Sequence, residues 1–174
     1  LVRKGALVRA TIHHKKPPLP LSEIQYVEAD LTLESECEKV VRGVDYVFMC
    51  AANTSGAAVI AKDPLEHVTA NVVMNTFMLN ASYRAEVKKF IFISSSIVYP
   101  PTGSIPSRED EAMVGEPYDA YFSAGWMKRY GELLCRTYSE KLGNPMTTIV
   151  VRPSNVYGPF DKFDFERAHV TASL

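Results

Sequence analysis

Five strand-like runs alternate with helix-like segments along this chain, and that alternation constrains the fold more than any other feature. The runs are Ala6–His13, Ile24–Ala29, Asp45–Cys50, Lys89–Ile93 and Met146–Arg152. A Pro-rich turn over 15–20 separates the first two, and no helix crosses it, because proline lacks an amide proton and clashes with the preceding turn. Later runs are linked by helical patterns. Glu34 to Arg42 carries Cys37, Val40 and Val41 at helical spacing and stops at Gly43; Pro64 opens a pattern reaching Tyr83; Tyr121 to Leu142 ends at Gly143-Asn144-Pro145. Strands apolar on both faces need cover on both sides. The expected fold is therefore α/β, a three-layer, doubly wound parallel sheet.

Ligands on such sheets bind in the crevice beyond the carboxyl ends of the strands, so chemistry is expected after Cys50, Ile93 and Val151. A Rossmann-type dinucleotide domain normally opens with a strand, a Gly-rich turn and a helix whose amides hold the pyrophosphate, and no such glycine cluster occurs here. Leu1–Gly5 reads as the last turn of that helix. The expectation is a sheet incomplete at both ends, with residues 1–160 a partial NAD(P)-binding domain and 161–174 the start of a substrate-binding part.

Composition narrows the partners. With 174 residues, 47% of them hydrophobic, one domain is expected, and 19 basic against 20 acidic residues leave a net charge of −1, which favours a small-molecule ligand over nucleic acid or an anionic membrane. No apolar run is long enough to span a bilayer. Three scattered cysteines, Cys37, Cys50 and Cys135, lack metal or redox spacing, so reduced thiols, a cytoplasmic setting and no metal are expected.

Three segments stand out. Ser94-Ser95-Ser96 runs on to Tyr99-Pro100 from a buried strand, and at least one hydroxyl should face the crevice. Lys128 and Glu132 lie one helical turn apart, a spacing that usually makes a solvated ion pair. Arg152 to Pro159 is a loop bounded by proline and glycine. Joined in order with Ala29-Asp30-Leu31, Cys50-Ala51-Ala52 and Asn71, these segments resemble the extended short-chain dehydrogenase/reductase superfamily, the nucleotide-sugar epimerases, dehydratases and reductases. Ala51 to Gly56, Tyr99-Pro100 and Asn155 to Phe163 with His169 look most like the GDP-L-fucose synthases, which epimerise and reduce a GDP-4-keto-6-deoxy sugar.

The resemblance implies roles. Asp30 and Leu31 would border adenine, Ala51 and Ala52 the cofactor ribose and phosphates, and Pro153 the nicotinamide. Ser95 would hydrogen-bond the sugar, with Ser96 and Asn155 also in the substrate site. Lys128 would bind the nicotinamide ribose and lower the pKa of a Tyr four residues earlier, which moves the proton accompanying hydride transfer. That position is Ala124, so the general acid is missing and an impaired enzyme is expected; Tyr121, one turn away, is read as a packing or surface residue. His169 matches an epimerising His, whereas its Cys partner would fall at Ile97, which transfers no proton. Reductase, single epimerase and dehydratase stay open.

Arg9, His13, His14, Lys15 and Lys16 give the end of the first run a basic character, with no acid between Leu1 and Leu21, so NADP is favoured over NAD. The resemblance also implies a homodimer through the helices at Pro64–Tyr83 and Tyr121–Leu142. The alternatives are a non-catalytic cofactor-binding module on the same fold and a related dehydrogenase acting on a lipophilic alcohol.

Overall fold

The computed structural model describes residues 1–14, 17, 20–53, 64–154, 156 and 158. Strands β1 (Val8–Ile12) and β2 (Ile24–Glu28), helix α1 (Glu34–Val41), β3 (Tyr46–Met49), α2 (Pro64–Arg84), β4 (Lys89–Ile93), α3 (Phe122–Glu140) and β5 (Thr147–Val151) follow in the expected order. Their ends fall within about two residues of the sequence reading, the usual uncertainty of an element boundary. A 3₁₀ turn at Val2–Lys4 precedes β1 and is closed by Gly5 at φ 79°, a left-handed conformation glycine adopts without strain.

Every strand pairing is parallel. β1 pairs with β2, while β3, β4 and β5 form a second sheet with β4 in the centre. Helices α1, α2 and α3 pack side by side, and α3 also lies on β4 and β5. Side chains of the second sheet alternate accordingly. Val47, Met49, Phe90 and Phe92 are buried in the core beneath the helices with Leu79, Cys37 and Cys135.

The opposite face of the sheet corrects one expectation. β3 is not buried on both sides: Tyr46 and Phe48 are 52% and 49% exposed, and Ile149 and Val151 on β5 are exposed on the same face, while Ile91 of the central β4 between them is buried. The described residues supply two layers of the expected three, the sheet and one helical layer. The apolar character read from the sequence is real on both faces, but among the described residues cover comes from one side.

Two glycines let α3 sit close to the sheet, although glycine inside a helix costs about 1 kcal/mol relative to alanine. At Gly131 an added Cβ would meet the ring tip of Phe92 at 2.5 Å. At Gly125 it would stand 2.5 Å from Pro117 Cβ and 2.8 Å from the Ile97 carbonyl oxygen. A proline ring and a main-chain carbonyl cannot rotate away. Gly125→Ala is therefore expected to lower stability by about 1–2 kcal/mol net of its helix-propensity gain, read as a lower urea midpoint at unchanged slope.

Burial pushes the thiols of Cys37 and Cys135 up, to about 11 and about 12. Their neutral forms are favoured by folding, so this stability is complete below the ordinary thiol value and is lost as pH rises through the folded values. From pH 9 to about 12 the wild type should lose stability more steeply than a Cys37→Ala/Cys135→Ala variant. Denaturation midpoints measured across that range check the difference.

Candidate active site

Because β3, β4 and β5 are parallel, their carboxyl ends share one edge, and the backbone ties two of those ends together. The Ser94 amide donates to the Val151 carbonyl at 2.7 Å and the Ser96 amide to the Pro153 carbonyl at 3.0 Å. Above this edge lies α3. Its Glu132 side chain, only 4% exposed, accepts from Arg152 Nε at 2.9 Å and Nη2 at 2.7 Å, and the Ser94 hydroxyl lies 2.5 Å from its Oε1. Arg152 Nη1 reaches the Tyr99 hydroxyl at 3.0 Å and the Glu109 carbonyl at 2.8 Å. The Glu132 carboxylate, with the Tyr99 hydroxyl assisting and burial opposing, holds the Arg152 guanidinium above its ordinary value, so the guanidinium stays charged.

The spacing of Lys128 and Glu132 suggested an ion pair with each other. Both Glu132 oxygens are instead engaged by Ser94 and Arg152, and the Lys128 ammonium donates to the Ile93 carbonyl at 2.8 Å, 5.2 Å from the centre of the Phe92 ring. Burial lowers the Lys128 pKa, with Glu132 opposing. An ammonium has three donors, so two remain for a ligand at the carboxyl end of β4.

Ser95 is half-buried and its Oγ accepts from the Ile97 amide at 3.4 Å, capping the 3₁₀ turn Ser96–Val98; Ser96 is exposed. Ala124 is 4% exposed, inside the same turn of α3. Its methyl group offers no proton there. At the other sheet, the Asp30 carboxylate accepts from the Thr32 hydroxyl at 2.6 Å and amide at 2.9 Å, bonds that hold its pKa below the usual range, and His13 Nε2 lies 3.9 Å away. Leu31 packs into the core. Ala51 is half-buried and Ala52 exposed, and the next residue, Asn53, exchanges main-chain bonds with the Asn71 side chain at 2.8 and 2.9 Å. Pro153 is half-buried at the end of β5. Asn155 and His169 lie outside the described residues, as do Lys15, Lys16 and 161–174.

Two arginines differ from the sequence reading. Arg9, grouped with the basic residues near the cofactor, donates to the carbonyls of Val40 and Arg42, both at 2.9 Å, and closes the end of α1. Arg129, which no motif singled out, is 2% exposed and donates to the carbonyls of Val98, Gly115 and Val114 at 2.9, 2.6 and 3.2 Å. A buried cation served by three main-chain carbonyls leaves no mark in residue spacing. Ser94 was one of three candidate hydroxyls, and only packing selects it as the one that meets Glu132. Among the described residues no group of His, Cys, Asp and Glu has the arrangement of a metal site, and no helix is long and apolar enough to cross a membrane.

The sequence pattern of the NAD dependent epimerase/dehydratase family matches residues 2–174. The chain belongs to that family. It is 33% identical over 151 residues to GDP-L-fucose synthase of Sinorhizobium fredii, an alignment covering 83% of the chain and 46% of that protein. To GDP-mannose 3,5-epimerase of Arabidopsis thaliana it is 32% identical over 150 residues, covering 83% of the chain and 38% of that protein. A GDP-L-fucose synthetase from Naegleria fowleri, solved with NADP bound, superposes with a TM-score of 0.74 at 28% identity, over 87% of this chain and 51% of that one. The chain thus spans about half, or less, of the length of these relatives. Its relatives in this epimerase family include epimerases and reductases of nucleotide sugars.

Within this family member the Glu132–Arg152 pair is buried enough for its loss to be costly. Glu132→Gln leaves the guanidinium without its countercharge and is expected to destabilise by about 3–5 kcal/mol. Replacing the pair by Glu132→Leu with Arg152→Met removes both charges together and should recover much of that loss. Urea unfolding of both variants tests the pair.

Proposed function

We propose that this chain is part of a nicotinamide-dependent epimerase/reductase of a GDP-4-keto-6-deoxy sugar, and that Ala124 slows its chemistry. The observation that carries the reading is the approach of the Lys128 ammonium to the Ile93 carbonyl, beside Ser94 and Ser95. An amine with two remaining donors beside a row of hydroxyls suits a ribose and a sugar oxygen.

The residues present fit such a cofactor. Asp30, ionised and fixed by Thr32, would accept from the adenine amino group, and Leu31 would support it from the core. Ala51 and Ala52 have side chains small enough for a phosphate to approach the main chain, and Pro153 lies beside Ser96, where the nicotinamide would rest. Bound there, the nicotinamide would supply or accept the hydride. Lys128 would hold its ribose, and Ser95 would orient the sugar oxygen, with Ser96 and Asn155 beside it. NADP is favoured over NAD: His13 remains at the strand end without Arg9, and the relative from Naegleria fowleri was solved with NADP. His169 would serve epimerisation, and 1–160 and 161–174 would divide cofactor from substrate binding.

A homodimer through α2 and α3 fits the surface of α3. Phe122, Trp126, Tyr130 and Leu133, at helical spacing, are 48%, 41%, 40% and 55% exposed. A cytoplasmic location suits three free thiols, two of them buried.

Restoring the phenol tests the reading. Ala124→Tyr in the full-length protein should raise NADPH oxidation with GDP-4-keto-6-deoxymannose by about 10²–10⁴, the usual contribution of a general acid. Turnover absent from both forms, with NADPH still bound, would favour the non-catalytic module, a reading that Ala124 itself supports.

A further inference from the structure

Ala124 leaves α3 without a phenol at that position, yet another phenol stands at the start of the same helix. Tyr121 closes the 3₁₀ turn Asp119–Tyr121 and is the N-cap of α3. It precedes Lys128 by seven residues, roughly two helical turns, so it falls on the stripe of α3 that carries Ala124 and Lys128. Along the axis it stands about 4.5 Å farther from Lys128 than residue 124 does. From pattern alone Tyr121 reads as a packing or surface residue. The structure instead places it half-buried on the wall of an open cleft of about 540 Å³ beyond the carboxyl end of β4.

The two ends of that stripe meet the two ends of one segment. Lys128 donates to the Ile93 carbonyl at 2.8 Å, and Tyr121 shares the cleft with Ser96 and Ile97, so Ser95 falls between the contacts. None of the side chains lining the cleft is charged, which leaves hydroxyls as its only proton donors. Phenols are the most acidic hydroxyls a protein has, and three line this cleft. Their surroundings separate them. The Tyr99 hydroxyl accepts from Arg152 Nη1 at 3.0 Å. Tyr118 precedes the 3₁₀ turn and is 54% exposed. The Tyr121 hydroxyl has no protein partner among the described residues, and its ring is braced by that of Tyr118, 6.2 Å away at 55°.

The chain on either side of this phenol is held before any ligand arrives. Arg129 ties the Val98 carbonyl to those of Val114 and Gly115, and Gly125 packs on both Ile97 and Pro117. A donor fixed in this way loses little freedom when it meets a carbonyl.

We propose that Tyr121 is the proton donor of this chain, carrying the turnover that remains without a phenol at position 124. This rests on the proposed function and adds to it a residue at a new register of the helix. As the carbonyl carbon of the keto sugar gains the hydride of the reduced nicotinamide, its π bond opens and its oxygen takes the Tyr121 proton. An alcohol, the oxidised nicotinamide and a phenolate result, and water returns the proton to Tyr121. A donor displaced along the helix is less effective than an aligned one, so Ala124→Tyr still raises the rate.

The full-length protein with NADPH and GDP-4-keto-6-deoxymannose provides the test. Tyr121→Phe should lower NADPH oxidation by about ten- to a hundredfold, the lower part of the range for a general acid. Calorimetric affinities for NADPH, and for the keto sugar in the presence of NADP, should hold. In the Ala124→Tyr background the penalty of Tyr121→Phe should shrink at least about fivefold, because the aligned phenol takes over the transfer. An unchanged rate in Tyr121→Phe would overturn the proposal. So would an equal penalty in both backgrounds, or a loss of rate matched by a loss of affinity, since either marks a structural role. If the wild type is silent and Ala124→Tyr turns over, the functional reading stands and the role of Tyr121 falls. Silence from both forms would remove the functional reading and Tyr121 with it.

Discussion

Glu132 is a carboxylate placed where water hardly reaches, and the rest of the crevice edge is arranged around it. Removing such a group from water costs several kcal/mol unless its lone pairs are filled. Here two guanidinium nitrogens and a serine hydroxyl fill them. Each partner belongs to a different element: Glu132 to α3, Ser94 to the end of β4, Arg152 to the end of β5. Arg152 extends the tie to Tyr99 and to the loop at Glu109. One desolvated charge therefore fixes four pieces of chain relative to each other, and they are the four pieces from which the crevice is built.

A second constraint works one to two turns earlier along α3. Glycines at 125 and 131 bring the helix within contact of Pro117, Ile97 and Phe92, and Arg129 spends its donors on main-chain carbonyls of the loop. Buried carbonyls in an irregular loop need donors, and a guanidinium supplies several in one plane. The loop between β4 and α3 is thus held without regular secondary structure of its own beyond short 3₁₀ turns. Lys128 lies between the two constraints, with its ammonium held at the end of β4.

How much of this was legible varies with the range of the interaction. Strand and helix order, the stop at Gly43, the opening of α2 at Pro64 and the stop after α3 follow from local chemistry and appear where expected. The prominence of Ser94–Ser96, Lys128, Glu132 and Arg152 was also legible, as were Asp30 and Asn71. Their pairing was not. Spacing along a helix joined Lys128 to Glu132, but Arg152 presents a bidentate fork twenty residues later and wins the carboxylate, because two aligned N–H bonds fit a carboxylate better than one ammonium. In the same way Arg9 read as part of a basic patch, and the unfilled carbonyls at the end of α1 claim it.

The sequence by itself determined the period of each segment, hence its type, and the parallel α/β class that alternating strands and helices require. It also determined that residue 124 carries no phenol, since no folding changes a side chain's identity. Only the tertiary structure decided which of three serines meets Glu132, which cation holds it, and that Tyr118 and Tyr121 share a cleft with Ser96. It also decided that cover for the sheet comes from one face in the described residues. The division has a physical cause. Backbone preference and periodicity act over a few residues and are written locally, whereas a buried charge or a shared wall depends on groups brought together across dozens of residues.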